Sequence, residues 1–145
     1  MAQGMTLGDR TETTGMNEAL MAELRASRGN GCVGTELVSE TDRVRVWLIR
    51  LAPGERIGFH EHVLDYFWTA ITAGRARSNH DDGSTYEKTY AAGETQHATY
   101  AAGDSKIHDL TNIGDADLVF STVEFLQSAN RPLPIPEAIR RRDAG

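Results

Sequence analysis

Cysteine is almost absent from this chain. Among 145 residues only Cys32 carries a thiol, which excludes an internal disulfide and a CxxC redox or zinc motif. Long apolar runs are missing as well, so no membrane span is expected. Positive charge is in deficit. Fifteen Lys and Arg against 21 Asp and Glu leave a net charge of −6. Phosphate binding needs a clustered basic face, so nucleic acid is not an expected partner. The one basic run, Arg140-Arg141-Arg142, reads as solvated charge on a tail. Met1 to Arg10 has neither a basic n-region nor an apolar h-region. No signal peptide is therefore expected, and a cytoplasmic location follows from these absences. Ser/His/Asp triads, phosphate-cradling glycine loops and paired acid–base carboxylates are not visible either.

What remains is one domain's worth of ordinary soluble composition, 39% hydrophobic and 25% charged. A chain of this length buries roughly 70% of its unfolded surface, enough for a real core. Residues 1–16 are polar and Gly/Thr-rich and read as a flexible N-terminus. Residues 17–28 read as a short helix, with Asn17 as cap, Gly29 as stop, and Met16, Leu20 and Leu24 on one face. From Cys32 onward, short β-branched and aromatic runs alternate with Gly, Pro, Asn and Asp. Strands are expected near 33–39, 43–52, 57–63, 65–73, 75–79, 84–90, 94–100, 105–111 and 117–126. Many short strands at such spacing mean an all-β sandwich or barrel, here ending near residue 127. The tail, 128–145, alternates Pro132, Pro134 and Pro136 and should be extended, with one helical turn starting at Pro136. Thr89-Tyr90-Ala91-Ala92-Gly93-Glu94 recurs as Thr99-Tyr100-Ala101-Ala102-Gly103-Asp104. Two copies are too few for a repeat fold and read as two turns of similar chemistry.

Chemistry concentrates in the five histidines. His60 and His62 stand at i and i+2 on an expected strand, so both imidazoles share a face and can hold one metal ion. His108 lies mid-strand. A hairpin turn at 101–104 would pair Tyr100 with Ser105 and set His97 opposite His108. His80, in Ser78-Asn79-His80-Asp81-Asp82-Gly83, reads as an ordinary surface residue of a loop. Arg56 shares the parity of His60 and His62 and is the first choice for an arginine reaching inward to a substrate carboxylate. Trp47, Phe59, Phe67 and Trp68 read mainly as core. Cys32 has no histidine or basic cluster near it in sequence and reads as structural.

Gly54-(x5)-His60-x-His62-(x4)-Phe67-(x6)-Gly74 resembles the first cupin motif, G-x5-H-x-H-x3,4-E-x6-G. His108-x3-Asn112 resembles the end of the second, and Gly93-Glu94 its opening turn. The resemblance spans roughly 40–127 and implies a single cupin-type antiparallel β-barrel, a jelly roll, with a short N-terminal helix and a Pro-rich C-terminal arm. It also implies one divalent transition metal held by His60, His62 and His108, with His97 as a possible fourth ligand. The glutamate slot holds Phe67, which cannot ligate but would sit beside the metal and shape the substrate pocket.

Three neutral ligands leave open positions on the ion, as in the cupin thiol dioxygenases, which this site resembles. The expectation is a mononuclear non-haem metal oxygenase acting on a small anionic organic substrate. Iron suits that chemistry best; imidazole also suits Zn, Ni and Cu, and Mn is a further option. The alternatives are a metal-assisted isomerase or lyase, and a binding cupin whose metal is structural. His60–Trp68 and Asp117–Phe125 are also similar to small bacterial cupins associated with β-alanine degradation. Cupins often pair through barrel edges, so a homodimer is expected, with the C-terminal arm and the segment before residue 40 as contacts.

Overall fold

Three turns of one kind set the strand spacing. In the computed structural model, which describes residues 9–11 and 16–140, Glu55, Glu94 and Asp104 each donate their N–H to the carbonyl three residues back, Ala52, Ala91 and Ala101, at 2.9, 3.0 and 3.0 Å. Their third positions, Gly54, Gly93 and Gly103, lie at φ +84°, +87° and +87°. A type II turn needs positive φ there, which is why glycine stands at all three. The Thr-Tyr-Ala-Ala-Gly repeat is thus turn chemistry used twice.

Ten strands result: β1 (Asp9–Thr11), β2 (Glu36–Glu40), β3 (Val44–Leu51), β4 (Arg56–His62), β5 (Tyr66–Ala70), β6 (Gly74–Asn79), β7 (Thr85–Tyr90), β8 (Thr95–Ala98), β9 (Lys106–Asn112) and β10 (Leu118–Phe125). One helix, α1 (Glu18–Ala26), precedes β2. The nine expected strands are all present. β1 was not expected. Asp9–Thr11 lie in the segment read as flexible, yet they pair antiparallel with β7. An edge strand offers unpaired N–H and C=O groups to any neighbouring segment, whatever its composition. The rest of that segment up to Gly15 lies outside the described residues.

The strands form two five-stranded antiparallel sheets, ordered β1-β7-β6-β9-β4 and β2-β3-β10-β5-β8. Their inner faces bury Ile49, Leu51, Ala70, Leu110, Leu118 and Phe120 in one cluster. Trp68 and Tyr90 stand edge-on to Phe120, with centroids 5.5 and 4.8 Å away. This is a closed jelly roll of the expected kind.

Asn17 caps α1, its Oδ1 accepting from Leu20 N at 2.8 Å. The helix ends at Ala26, earlier than expected, and buries no residue fully. It is held by Glu23, whose carboxylate takes both guanidinium nitrogens of Arg56 at 3.0 Å. The C-terminal arm folds back on its own barrel. Ile135 and Ile139 pack on Val33, Leu37 and Trp47, and Arg140 Nε donates to Glu40 at 2.8 Å. The single turn after Pro136 is a 3-10 turn, Glu137–Ile139. Arg141 and Arg142 lie outside the described residues.

Candidate metal centre

A β-bulge decides which side chains enter the barrel. On β4, Arg56 and Ile57 pair with Thr111 and Leu110 of β9, but His60 pairs with His108. One extra residue therefore sits between Ile57 and His60, and facing parity flips across it. Ile57 packs into the core. Arg56 is thereby turned away from the interior, while His60 and His62 point in. Gly58 lies in the bulge. A Cβ there would meet Glu23 Oε2 at 2.8 Å, so glycine leaves room for the carboxylate that caps Phe59 N at 2.9 Å. The Gly58 carbonyl accepts from His60 Nδ1 at 2.8 Å. A carbonyl can only accept, so Nδ1 carries the proton and the neutral ring keeps its Nε2 lone pair free.

His60, His62 and His108 converge. One ring nitrogen of each lies within 4.8 Å of the other two. His62 Nε2 and His108 Nε2 are 3.1 Å apart. Two nitrogens bound at right angles to one ion at about 2.1 Å lie about 3 Å apart, so this pair has the spacing of adjacent ligands. Burial, opposed by the Gly58 bond, holds the His60 ring down to about 4. Burial first, then neighbouring positive charge, holds His62 and His108 well below the usual imidazole range. All three rings are therefore neutral at pH 7, the form that ligates. His62 Nδ1 and His108 Nδ1 are buried with no hydrogen-bond partner. Three neutral imidazoles with ring nitrogens this close fit a transition-metal ion better than they fit one another.

The cluster opens on a cavity of about 50 Å³. A buried water needs about 10–15 Å³, so the space takes a few waters or a small organic molecule. Val33, Ile49, Trp68, Leu110 and Phe120 give it an apolar wall. Tyr66, Tyr90, Lys106 and Thr122 also line it. Tyr66 stacks on His62, centroids 4.3 Å apart at 19°, and its hydroxyl accepts from Lys106 Nζ at 2.9 Å. Burial, then the charge and hydrogen bond of Tyr66, hold the neighbouring Tyr100 phenol above its ordinary range.

No family model and no curated protein matches this sequence. Solved structures do. A cupin domain from Bordetella pertussis Tohama I is 24% identical with a TM-score of 0.54, covering 61% of this chain and 88% of that one. A conserved protein with a double-stranded β-helix domain from Klebsiella pneumoniae is 23% identical with a TM-score of 0.51, covering 86% and 95%. A cupin family protein from Methanocaldococcus jannaschii is 20% identical with a TM-score of 0.50, covering 62% and 76%. This chain has the cupin fold, the double-stranded β-helix.

The fold also corrects several expectations. Phe67 does not enter the pocket. The corner at 63–65 carries the chain from one sheet to the other, and β5 turns Phe67 outward against His97 and Phe125, centroids 5.1 and 6.0 Å away. Tyr66 and Trp68 face in instead. His97 is not a fourth ligand. β8 pairs with β5 and β9 with β4, so the turn at 101–104 joins two sheets rather than a hairpin. His97 is exposed on the outer face. Arg56 reaches no cavity; the bulge turns its guanidinium to Asp109 Oδ2 (2.8 Å) and Glu23. His80 is no surface residue. It bridges to His108, is 2% exposed, and bonds Ser78 Oγ through Nε2 at 2.9 Å. Asn112, the motif's closing residue, ties its turn to Leu51 O and Ala116 O, both at 2.9 Å. Burial raises the Cys32 thiol, which disfavours the thiolate.

Lys106 is the site residue that sequence reasoning missed. A signal was available: it stands two residues before His108 on one strand, and so shares its face.

Proposed function

We propose that this cupin is a metal-dependent enzyme, a mononuclear non-haem oxygenase acting on a small anionic organic substrate. The observation that carries this reading is the convergence of His60, His62 and His108 on a small cavity whose walls are otherwise mostly apolar. These three side chains would hold the ion, and iron is the metal that suits the reaction. Bound there, a divalent iron would supply Lewis-acid polarisation and redox chemistry toward O₂. The chain's own contribution is positioning. The Gly58 carbonyl fixes the tautomer of His60. Tyr66 holds the His62 ring by stacking. The apolar wall limits water and strengthens every charge interaction inside. Three neutral side chains leave a divalent charge uncompensated, which favours an anionic substrate.

Oxygen uptake by iron-loaded protein tests the reading. Short carboxylates and small thiols are offered in turn. The expected result is substrate-dependent uptake that disappears in His60→Ala and His108→Ala. Conversion of a substrate without oxygen uptake would contradict the oxygenase and support a metal-assisted isomerase or lyase.

A further inference from the structure

The inner face of β4 and β9 carries four residues at the corners of a square. His60 is directly opposite His108, and His62 directly opposite Lys106. Opposed side chains of an antiparallel pair stand about 4.5–5.5 Å apart at Cβ, so Lys106 is a neighbour of the histidine cluster. A lysine is a strange fourth corner for a site that attracts a cation.

Lys106 is 8% exposed. Its ammonium donates to Tyr66 Oη at 2.9 Å and lies 5.5 Å from the centre of that ring. Among the described residues no carboxylate forms an ion pair with it. Glu124, the buried acid on the facing sheet, is engaged by Trp47 Nε1 at 2.8 Å. A buried ammonium has three donors and normally finds a counter-ion. Lys106 itself lines the cavity.

We infer that Lys106 is the anion anchor of the site, with Tyr66 holding its ammonium in place. The ligand class this selects is a short carboxylate with a second donor atom: the carboxylate on Lys106, the donor at the histidines. Two cationic positions side by side repel each other, and an anion touching both removes that repulsion. Anion and metal should therefore bind with positive, reciprocal coupling. Only the second anchor of this inference rests on the proposed metal-dependent function; the carboxylate subsite stands on Lys106 itself.

Calorimetric titration tests it, with glycolate as the anionic probe and ethylene glycol as a neutral molecule of similar size. Both are titrated into metal-free and zinc-loaded protein. The wild type is expected to prefer glycolate at least tenfold in both forms, and more strongly with zinc. Lys106→Met should abolish the preference, and Lys106→Arg should keep part of it. Tyr66→Phe, which leaves the charge in place, should weaken glycolate binding several-fold only. Circular dichroism identifies any variant that fails to fold, and the arginine variant then carries the comparison. A glycolate preference unchanged in Lys106→Met, or absent from the wild type, would overturn the inference even if zinc binds. A preference that depends on Lys106 while zinc fails to bind would keep the anion subsite and defeat the metal reading.

Discussion

The two faces of the β4–β9 pair are both rich in polar groups, and they treat them in opposite ways. On the outer face, Asp109 is fully buried and takes Arg56 Nε (2.8 Å), Asn79 N (2.6 Å) and Asn79 Nδ2 (3.1 Å). Glu23 of α1 completes Arg56 and caps Phe59. On the inner face, His62 Nδ1 and His108 Nδ1 have no partner, and Lys106 has a tyrosine hydroxyl in place of a counter-ion. The outer cluster is closed and holds structure together. The inner one is open, and unmatched buried polar groups are what a ligand site needs.

The largest expected effect comes from breaking the closed side. Asp109→Ala removes the buried partner of Arg56 and Asn79, and should lower stability by about 3–5 kcal/mol. His108→Ala in metal-free protein should lower it by less than half as much. Denaturant midpoints of the two variants measure this directly. A larger loss in His108→Ala would erase the distinction between the faces.

The same pair of faces shows what was legible beforehand. Hydrophobic alternation and Ala-x-Gly turns placed all nine expected strands, because both are local properties of the chain. His60, His62 and His108 could be grouped because HxH parity is local and the second motif ends at His108. Arg56 could not be placed. Its parity argument was sound until the bulge inserted one residue; the one local mark of that bulge is Gly58 inside the expected strand, while the Glu23 that seats it lies 33 positions away from Arg56. Phe67 was placed by motif spacing and His97 by a hairpin at 101–104; the chain changes sheets after β4 and after β8, which neither spacing nor a local turn reveals. His80 looked like a loop residue because Asp81-Asp82-Gly83 follows it, yet its bridge to His108 buries it.

Acidification should sharpen the contrast next. His60 and His80 are each held down to about 4, mainly by burial. The unfolded chain takes up their protons near 6.5 and the folded chain does not, so stability is lost as pH falls from 6.5 through 4. Each ring accounts for about 3 kcal/mol of that loss. Glu124, raised to about 7 by burial, acts in the reverse sense: its contribution is present below about 4.5 and lost as pH rises through 7. Urea midpoints of metal-free protein should fall from pH 7 to 5, and Glu124→Gln, which removes the opposing contribution, should steepen that fall. A flat profile between pH 7 and 5 would mean that the inner face is not closed to protons.

The smallest effect is expected outside the barrel. His97→Ala should change zinc affinity by less than twofold in a competition titration, since the ring packs tilted against Phe67 on the outer face. A loss of tenfold or more would bring His97 back into the site.

The central claim is that His60, His62 and His108 together bind one metal ion. Elemental analysis of purified protein, reconstituted with a divalent transition metal and compared with His60→Ala and His108→Ala, tests it most directly. The account predicts about one ion per chain in the wild type and loss of that ion in both variants. A wild type that stays metal-free after reconstitution, or variants that keep the full ion, would contradict it.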